Sequence, residues 1–300
     1  MHKFKTKLNE IMKICKKVLS TDLDKRGNIF RSRGPKPCWS DCFIIAVSIF
    51  AEFEGIDSES RLIAMLKKHK RYFPHLISRR QYNDRRRALL PYCTKLQQYL
   101  ANQIDEGEDY FCIDSKPIAV CRLSRSHRCH FGKEEGYRSP DWGYCASQQM
   151  HYFGYKLHAV CGLRGVIHSY DISKASVHDI HYLKDIKDRF FDCTIIGDRG
   201  YINADIRTSL FETQHIRLEY PYRVNQKGAK PFNRLFSKSR RRIETVFSQL
   251  TDQFMIMRNY AKSVNGLFAR LGYKLCSYTF AQYINWMNNK PIGKIKYALN

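Results

Sequence analysis

Cys193-Thr194-Ile195-Ile196-Gly197-Asp198-Arg199-Gly200-Tyr201 is the stretch on which the fold turns. Its first four residues form a short apolar run of the kind that a buried strand presents, and the run stops at a carboxylate set in turn-forming residues. Upstream, Tyr110 to Ile113 repeats the pattern, an apolar strand ending at Asp114. Between the two, Tyr155 to Cys161 and Gly165 to Tyr170 read as a hairpin with Leu163-Arg164 in the turn region, and a helix is predicted from about His178 to Phe190. Beyond Tyr201, Asn203 caps a predicted helix to about Phe211, and Ile216 to Tyr220 reads as another strand. Strands alternating with helices from Asp109 onward predict an α/β domain.

Downstream, Arg240 to Met257 places Ile243, Val246, Phe247, Leu250, Phe254 and Met257 at helical spacing, with Glu244 beside the core-facing Ile243. Asp114, Asp198 and Glu244 therefore stand at a strand end, a strand end and a helix, where folding needs no carboxylate. Taken singly, each reads as a cap or a solvated residue. Jointly they suit two Mg²⁺ ions, with Mn²⁺ as a substitute, held about 3.5–4 Å apart for in-line attack on a phosphodiester. Asp171 also follows a predicted strand and is the alternative to one of the three.

The charge points the same way. The 300 residues carry 52 Lys and Arg against 28 Asp and Glu, a formal charge of +24. With 43% hydrophobic and 13% aromatic residues the chain has material for a folded core, so a disordered basic tail is excluded. A basic excess without an amphipathic anchor suits the phosphates of an extended nucleic acid, against the plainer reading of a merely soluble surface. No span reaches the ~20 apolar residues of a membrane crossing, and residues 1–17 interleave lysines with apolar residues, unlike a signal peptide. The expected location is intracellular, in the cytoplasm. Eleven scattered cysteines read as reduced thiols rather than a disulfide scaffold. Cys121, His127, Cys129 and His130 have zinc-binding residue types but poor ligand spacing.

Before Asp109 the pattern is helical. Ser40 caps a helix to about Phe53, Ser58 one to about Lys68, and Ser78 with Gln81 makes a capping box for a helix carrying Arg79, Arg80, Arg85, Arg86 and Arg87. Short helices with a basic last one are what a helix-turn-helix DNA reader requires, and equally what a small helical domain with a solvated basic face shows. The expected organisation is a helical DNA-binding domain over 1–105, a catalytic domain over 106–257 and a basic helical tail over 258–300. Further candidate DNA contacts are Lys116, Lys156, Arg199, Lys227, Arg240 and Arg241. For Lys116, Lys156 and Arg199 a solvated edge is the alternative. His158 reads as a core residue of its strand.

Ile113-Asp114-Ser115-Lys116-Pro117, Gly197-Asp198-Arg199-Gly200-Tyr201 and Arg240-Arg241-Arg242-Ile243-Glu244-Thr245-Val246-Phe247 resemble, in order, the two aspartate motifs and the glutamate helix of bacterial insertion-sequence DDE transposases. Tyr155-Lys156-Leu157-His158 and Ala175-Ser176-Val177-His178-Asp179 also resemble stretches of that class, and the chain is most similar to its insertion-sequence nine-eight-two family. The resemblance implies a ribonuclease-H-like mixed-sheet catalytic domain preceded by an all-α, helix-turn-helix-like domain. It implies Asp114, Asp198 and Glu244 as catalytic, metal-holding residues, and Arg240 at a place where relatives carry arginine. It also implies as partners the terminal inverted repeats and target DNA, with water freeing a 3′-hydroxyl that then attacks the target. Ser237 and Thr251 depart from the tyrosine and lysine common in the broader class. Two DNA ends must meet, so a homodimer or larger assembly on DNA is expected. The rival readings are a ribonuclease-H-like endonuclease without strand transfer and a catalytically silent DNA-binding descendant.

Overall fold

The chain divides into two compact units, Met1–Leu100 with Leu250–Asn300, and Ala101–Gln249. The computed structural model describes residues 2–30, 37–71, 73–222 and 232–299. Lys227 lies outside the described residues.

The helical unit begins with α1 (His2–Val18), α2 (Asp41–Phe53), α3 (Glu59–Lys68), α4 (Arg79–Ala88) and the first part of α5 (Leu90–Ile104). The predicted caps are in place: Ser40 and Ser58 accept from Phe43 N–H and Arg61 N–H. Ser78 and Gln81 close a reciprocal capping box, which satisfies two N–H groups that the first turn leaves open. In α2 every residue except Phe43 is buried, so this helix is covered on all sides.

Its main companion comes from the segment expected as a basic helical tail over 258–300. Ser263 caps a long helix, Val264–Met287, which is buried over most of its length and packs on α2 and α4. Leu267, Leu271, Tyr273, Leu275, Tyr278 and Phe280 supply apolar surface that a solvated tail would not carry. The basic residues of this segment do not all reach solvent either. Lys274 is 1% exposed and donates to Glu52 Oε2 at 2.6 Å and to Phe254 O at 2.6 Å.

Two of the arginines expected at DNA are engaged within the helical unit. Arg86 is buried and gives its guanidinium to Glu52 and Glu59, each at 3.1 Å. Arg85 spans to Asp41 and the Trp39 carbonyl. Helical spacing turns this side of α4 inward, so these two arginines hold helices together, whereas Arg79 and Arg80 remain exposed.

The second unit is built on a six-stranded mixed sheet. Its strands are β1 (Tyr110–Ala119), β2 (Asp141–Cys145), β3 (Met150–Gly162), β4 (Ile167–Lys174), β5 (Thr194–Ile196) and β6 (Arg217–Glu219). Central β1 runs antiparallel to β3 and parallel to β5, which is parallel to β6. On the far side of β3, β2 pairs with its first residues and β4 with the remainder. Short α6 (Tyr182–Ile186) and α7 (Ala204–Gln214) connect the parallel strands. They share a core with Phe111, Ile113, Ile195 and Leu218. This mixed α/β arrangement is consistent with a ribonuclease-H-like domain.

Three local differences from the sequence reading have physical causes. β1 continues past Asp114 to Ala119, through Pro117. Its pairing with β5 stops at Cys112, so the missing proline N–H costs no bond to that neighbour. The predicted helix from His178 to Phe190 is only a 3₁₀ turn, Asp179–His181, followed by α6. The last helix of the unit, α8, runs Arg234–Asp252 rather than 240–257, and Met255 just beyond it has a φ of 49°. The long helix Val264–Met287 is α9, and α10 (Lys296–Leu299) follows it.

Candidate functional site

Register brings the two aspartates together. Cys112 is paired with Ile196 across parallel β1 and β5, and Asp114 and Asp198 each lie two residues further on. Parallel strands advance together, so both carboxylates emerge side by side where β5 ends. Gly197 permits this junction: a Cβ there would come within 3.0 Å of the Tyr201 ring and 3.2 Å of Ile113 Cγ2. Asp198 then caps the 3₁₀ turn Arg199–Tyr201, its Oδ1 accepting the Gly200 N–H at 2.7 Å.

The third acid arrives by way of α8. Side chains on a strand alternate, so Cys112, Asp114 and Lys116 share one face of β1. Cys112 Sγ donates to Ser239 O at 3.2 Å, and Lys116 Nζ stands 5.9 Å from the centre of the Phe247 ring. Four strand residues advance about 13 Å and eight helical residues about 12 Å, so α8 runs alongside β1 in step with it. The middle of the helical interval, near residue 243, is therefore level with Asp114. Arg240, which exerts an electrostatic pull on Asp114, and Phe247 lie one turn to either side of Glu244 on the same helix face. Glu244 itself is exposed.

Asp114 is held in an unusual state. Burial pushes its carboxyl up to about 7, and the neighbouring charges of Asp198 and Asp179 add to the rise, against the Ser115 N–H and Arg240. Asp179 is the acid that sequence reasoning did not assign, although its stretch was singled out. A Cβ on Gly200 would lie 2.9 Å from Asp198 Oδ1 and 3.6 Å from Asp179 Oδ2, so these two carboxylates flank the same glycine. Asp179 receives Lys156 Nζ at 3.0 Å, and Lys156 also donates to Val177 O at 2.8 Å. The only sequence signal for Asp179 was its neighbourhood, because nothing in its spacing reveals that β3 and β4 return it to the end of β1.

Tyr201 lies fully buried within this group. Burial raises its phenol well above the ordinary range, and Asp179, Asp114 and Asp198 raise it further. Its hydroxyl has no hydrogen-bond partner among the described residues. Asp114, Asp198 and Asp179 bring carboxylate oxygens, the donor type that a hard divalent cation takes, to one end of the sheet. Among the described residues no three His, Cys, Asp or Glu side chains stand close enough to share one ion.

The other candidates divide by accessibility. Arg199 and Arg241 are exposed and Arg240 half-buried, whereas Lys156 is committed to Asp179. Asp171 is exposed on β4 opposite His158, two strands away from β1, and does not join the acids at Asp198. His158 is buried in β3, bonded to Ser173 at 2.8 Å, and desolvation lowers it to about 4, so the ring is neutral. All eleven cysteines are free thiols. Among the described residues no helix is long and apolar enough to cross a membrane.

A family model described as a transposase DDE domain matches residues 105–280, more than half of the chain. The match extends past α8 and includes most of α9. No curated protein and no solved structure matches the chain.

Proposed function

Because the chain belongs to the transposase DDE domain family, we propose that it is an insertion-sequence transposase that binds the terminal inverted repeats of its element, cleaves a DNA strand there and joins the 3′-hydroxyl to target DNA. The observation that carries this reading is the register that sets Asp114 beside Asp198, with the Glu244 turn of α8 level with them. Asp114, Asp198 and Glu244 would hold two divalent cations, Mg²⁺ or Mn²⁺, which supply Lewis acidity at the phosphodiester when bound. Placement in the insertion-sequence nine-eight-two family belongs to the same proposal and rests on the motifs around those acids.

The chain's own side chains have distinct tasks in this reading. Arg240 partly offsets the carboxylate repulsion at Asp114. Asp179 fixes Lys156 and adds negative charge behind Asp198, so Lys156 acts as a positioning residue rather than a phosphate contact. Lys116, Arg199 and Arg241 are the basic residues placed to receive the DNA backbone near the cut. The helical unit binds DNA through Arg79, Arg80 and Arg87, and two or more copies meet on the paired ends.

The test uses labelled element-end duplex with Mg²⁺, followed by a pre-cut end bearing a free 3′-hydroxyl. Asp114→Asn, Asp198→Asn and Glu244→Gln should each abolish cleavage and joining while retaining duplex binding. Full cleavage by any one of them would falsify the assignment. Cleavage without joining of the pre-cut end would instead identify a nuclease.

A further inference from the structure

A cavity of about 280 Å³ in the helical unit has the chemistry of an anion seat. One side of α4 lines it through Arg79, Asn83, Arg86 and Arg87, and the start of α9 lines it through the cap residue Ser263 and Gly266. The positive end of the α9 dipole therefore faces this space. At α9 the Ser263 hydroxyl is engaged by the Gly266 N–H, and the N–H groups of Val264 and Asn265 precede the first intrahelical bond.

The side chains strengthen the same polarity. Arg79, Arg87 and Lys262 contribute cationic walls, and Lys262 is exposed. Beneath them are Arg86 and Arg270, each with a side chain 7% exposed. The only acid in the lining is Glu59, and its Oε1 already receives both of these guanidiniums. The further carboxylate available to Arg86, Glu52, is shared with buried Lys274. Arg86, Arg270 and Lys274 thus share Glu52 and Glu59, while Arg270 also donates to the Asp57 carbonyl and the Asp57 carboxylate is taken by Arg258. The Nε–H groups of Arg86 and Arg270 also have no acceptor among the described residues. Buried charge is costly where its pairing is incomplete, and both arginines line the cavity, whose other basic residues outnumber its one acid.

We propose that this cavity seats one phosphate of the DNA backbone, gripped by Lys262, Arg79 and the first turn of α9. That the phosphate belongs to DNA rests on the transposase reading. Lys262 and Ser263 are new as DNA contacts, and they come from a segment that sequence reasoning treated as a tail.

The experiment measures full-chain binding to element-end and unrelated duplexes as a function of salt. Wild type is compared with Lys262→Gln and with Lys17→Gln, an equal charge change at an exposed position on α1. Loss of one phosphate contact should reduce the slope of log K against log salt by about 0.9 in Lys262→Gln on both duplexes, and leave Lys17→Gln like wild type. A slope unchanged by Lys262→Gln overturns the proposal, as does a wild-type protein that binds no duplex. Thermal stabilisation by inorganic phosphate over chloride at equal ionic strength, abolished in Lys262→Gln with no change in the DNA slope, would assign the cavity to a free anion and overturn it too. The cleavage series at Asp114 judges the catalytic reading independently.

Discussion

Replacing Glu52 with Met should destabilise the helical unit more than any surface change, and the loss should depend on pH. Glu52 is 5% exposed and its two oxygens accept from Arg86 at 3.1 Å and Lys274 at 2.6 Å. Without it Arg86 retains Glu59, but Lys274 retains only the Phe254 carbonyl, at 1% exposure. Removing one member of a buried ion pair costs about 3–5 kcal/mol, because the remaining charge stays desolvated. For a unit of about 150 residues, at ~2–4 °C per kcal/mol, that is a fall in Tm of roughly 6–20 °C. Burial already lowers Lys274 from its ordinary 10.5, and Glu52 is the largest influence holding it up. Losing Glu52 lowers it further. Between the folded and the unfolded value the unfolded chain binds the extra proton, so stability rises with pH across that window. The deficit of Glu52→Met should therefore narrow as pH is raised from 7 towards 10. Glu52→Met with Lys274→Met should recover most of the loss at pH 7. Scanning calorimetry of the three variants provides the measurement. A fall in Tm below about 3 °C, or a deficit that widens with pH, refutes the claim that the network is desolvated.

Other expectations follow from single contacts. Arg86→Gln should lower Tm by several degrees, whereas Arg80→Gln, whose side chain is 92% exposed, should leave Tm unchanged and weaken duplex binding; comparing melting curves with binding isotherms separates the two roles. Mg²⁺ or Mn²⁺ should raise the Tm of wild type and not of Asp114→Asn, and chelation should reverse the rise. An equal response in both proteins would place the cation elsewhere. Gly154→Ala should unfold the sheet region or cost more than about 3 kcal/mol, because a Cβ would collide with the Ile118 carbonyl on β1; a soluble variant with unchanged denaturant midpoint contradicts the β1–β3 register. In thiol titration at neutral pH, exposed Cys38 should react first. Buried Cys42, Cys112 and Cys193, pushed up to about 11, 12 and 12 by burial, should react only on denaturation.

The parts of the fold legible in the sequence are those governed by local rules. Ser40, Ser58 and Ser78 mark helix starts because a side-chain oxygen replaces an absent backbone partner, and that chemistry is written within four residues. The strand carrying Cys193 to Ile196 was equally plain. Long-range packing was not legible: α9 carries Arg270 and Lys274 among its apolar residues, and it takes Glu52 and Glu59 from distant helices, with the Asp57 and Phe254 carbonyls, to make burial of those cations tolerable. The arginine cluster misled for the same reason, since its composition says nothing about which members face inward.

The acids show how far spacing alone can carry a site. Asp114 and Asp198 were each placed at a strand end, but adjacency depends on β1 and β5 being parallel and paired at Cys112 and Ile196, which no local pattern encodes. Asp179 escaped assignment because it reaches the site only through the return of β3 and β4. Glu244 is the reverse case: its helix was evident from periodicity, while its level relative to Asp114 follows from contacts two residues to either side of Asp114 along the strand. Had α8 slipped by one turn, about 5.4 Å, Ser239 and Phe247 could not both meet Cys112 and Lys116, and Glu244 would no longer stand level with the aspartates. The two contacts that hold this register, neither of them made by a carboxylate, are therefore part of what positions the site.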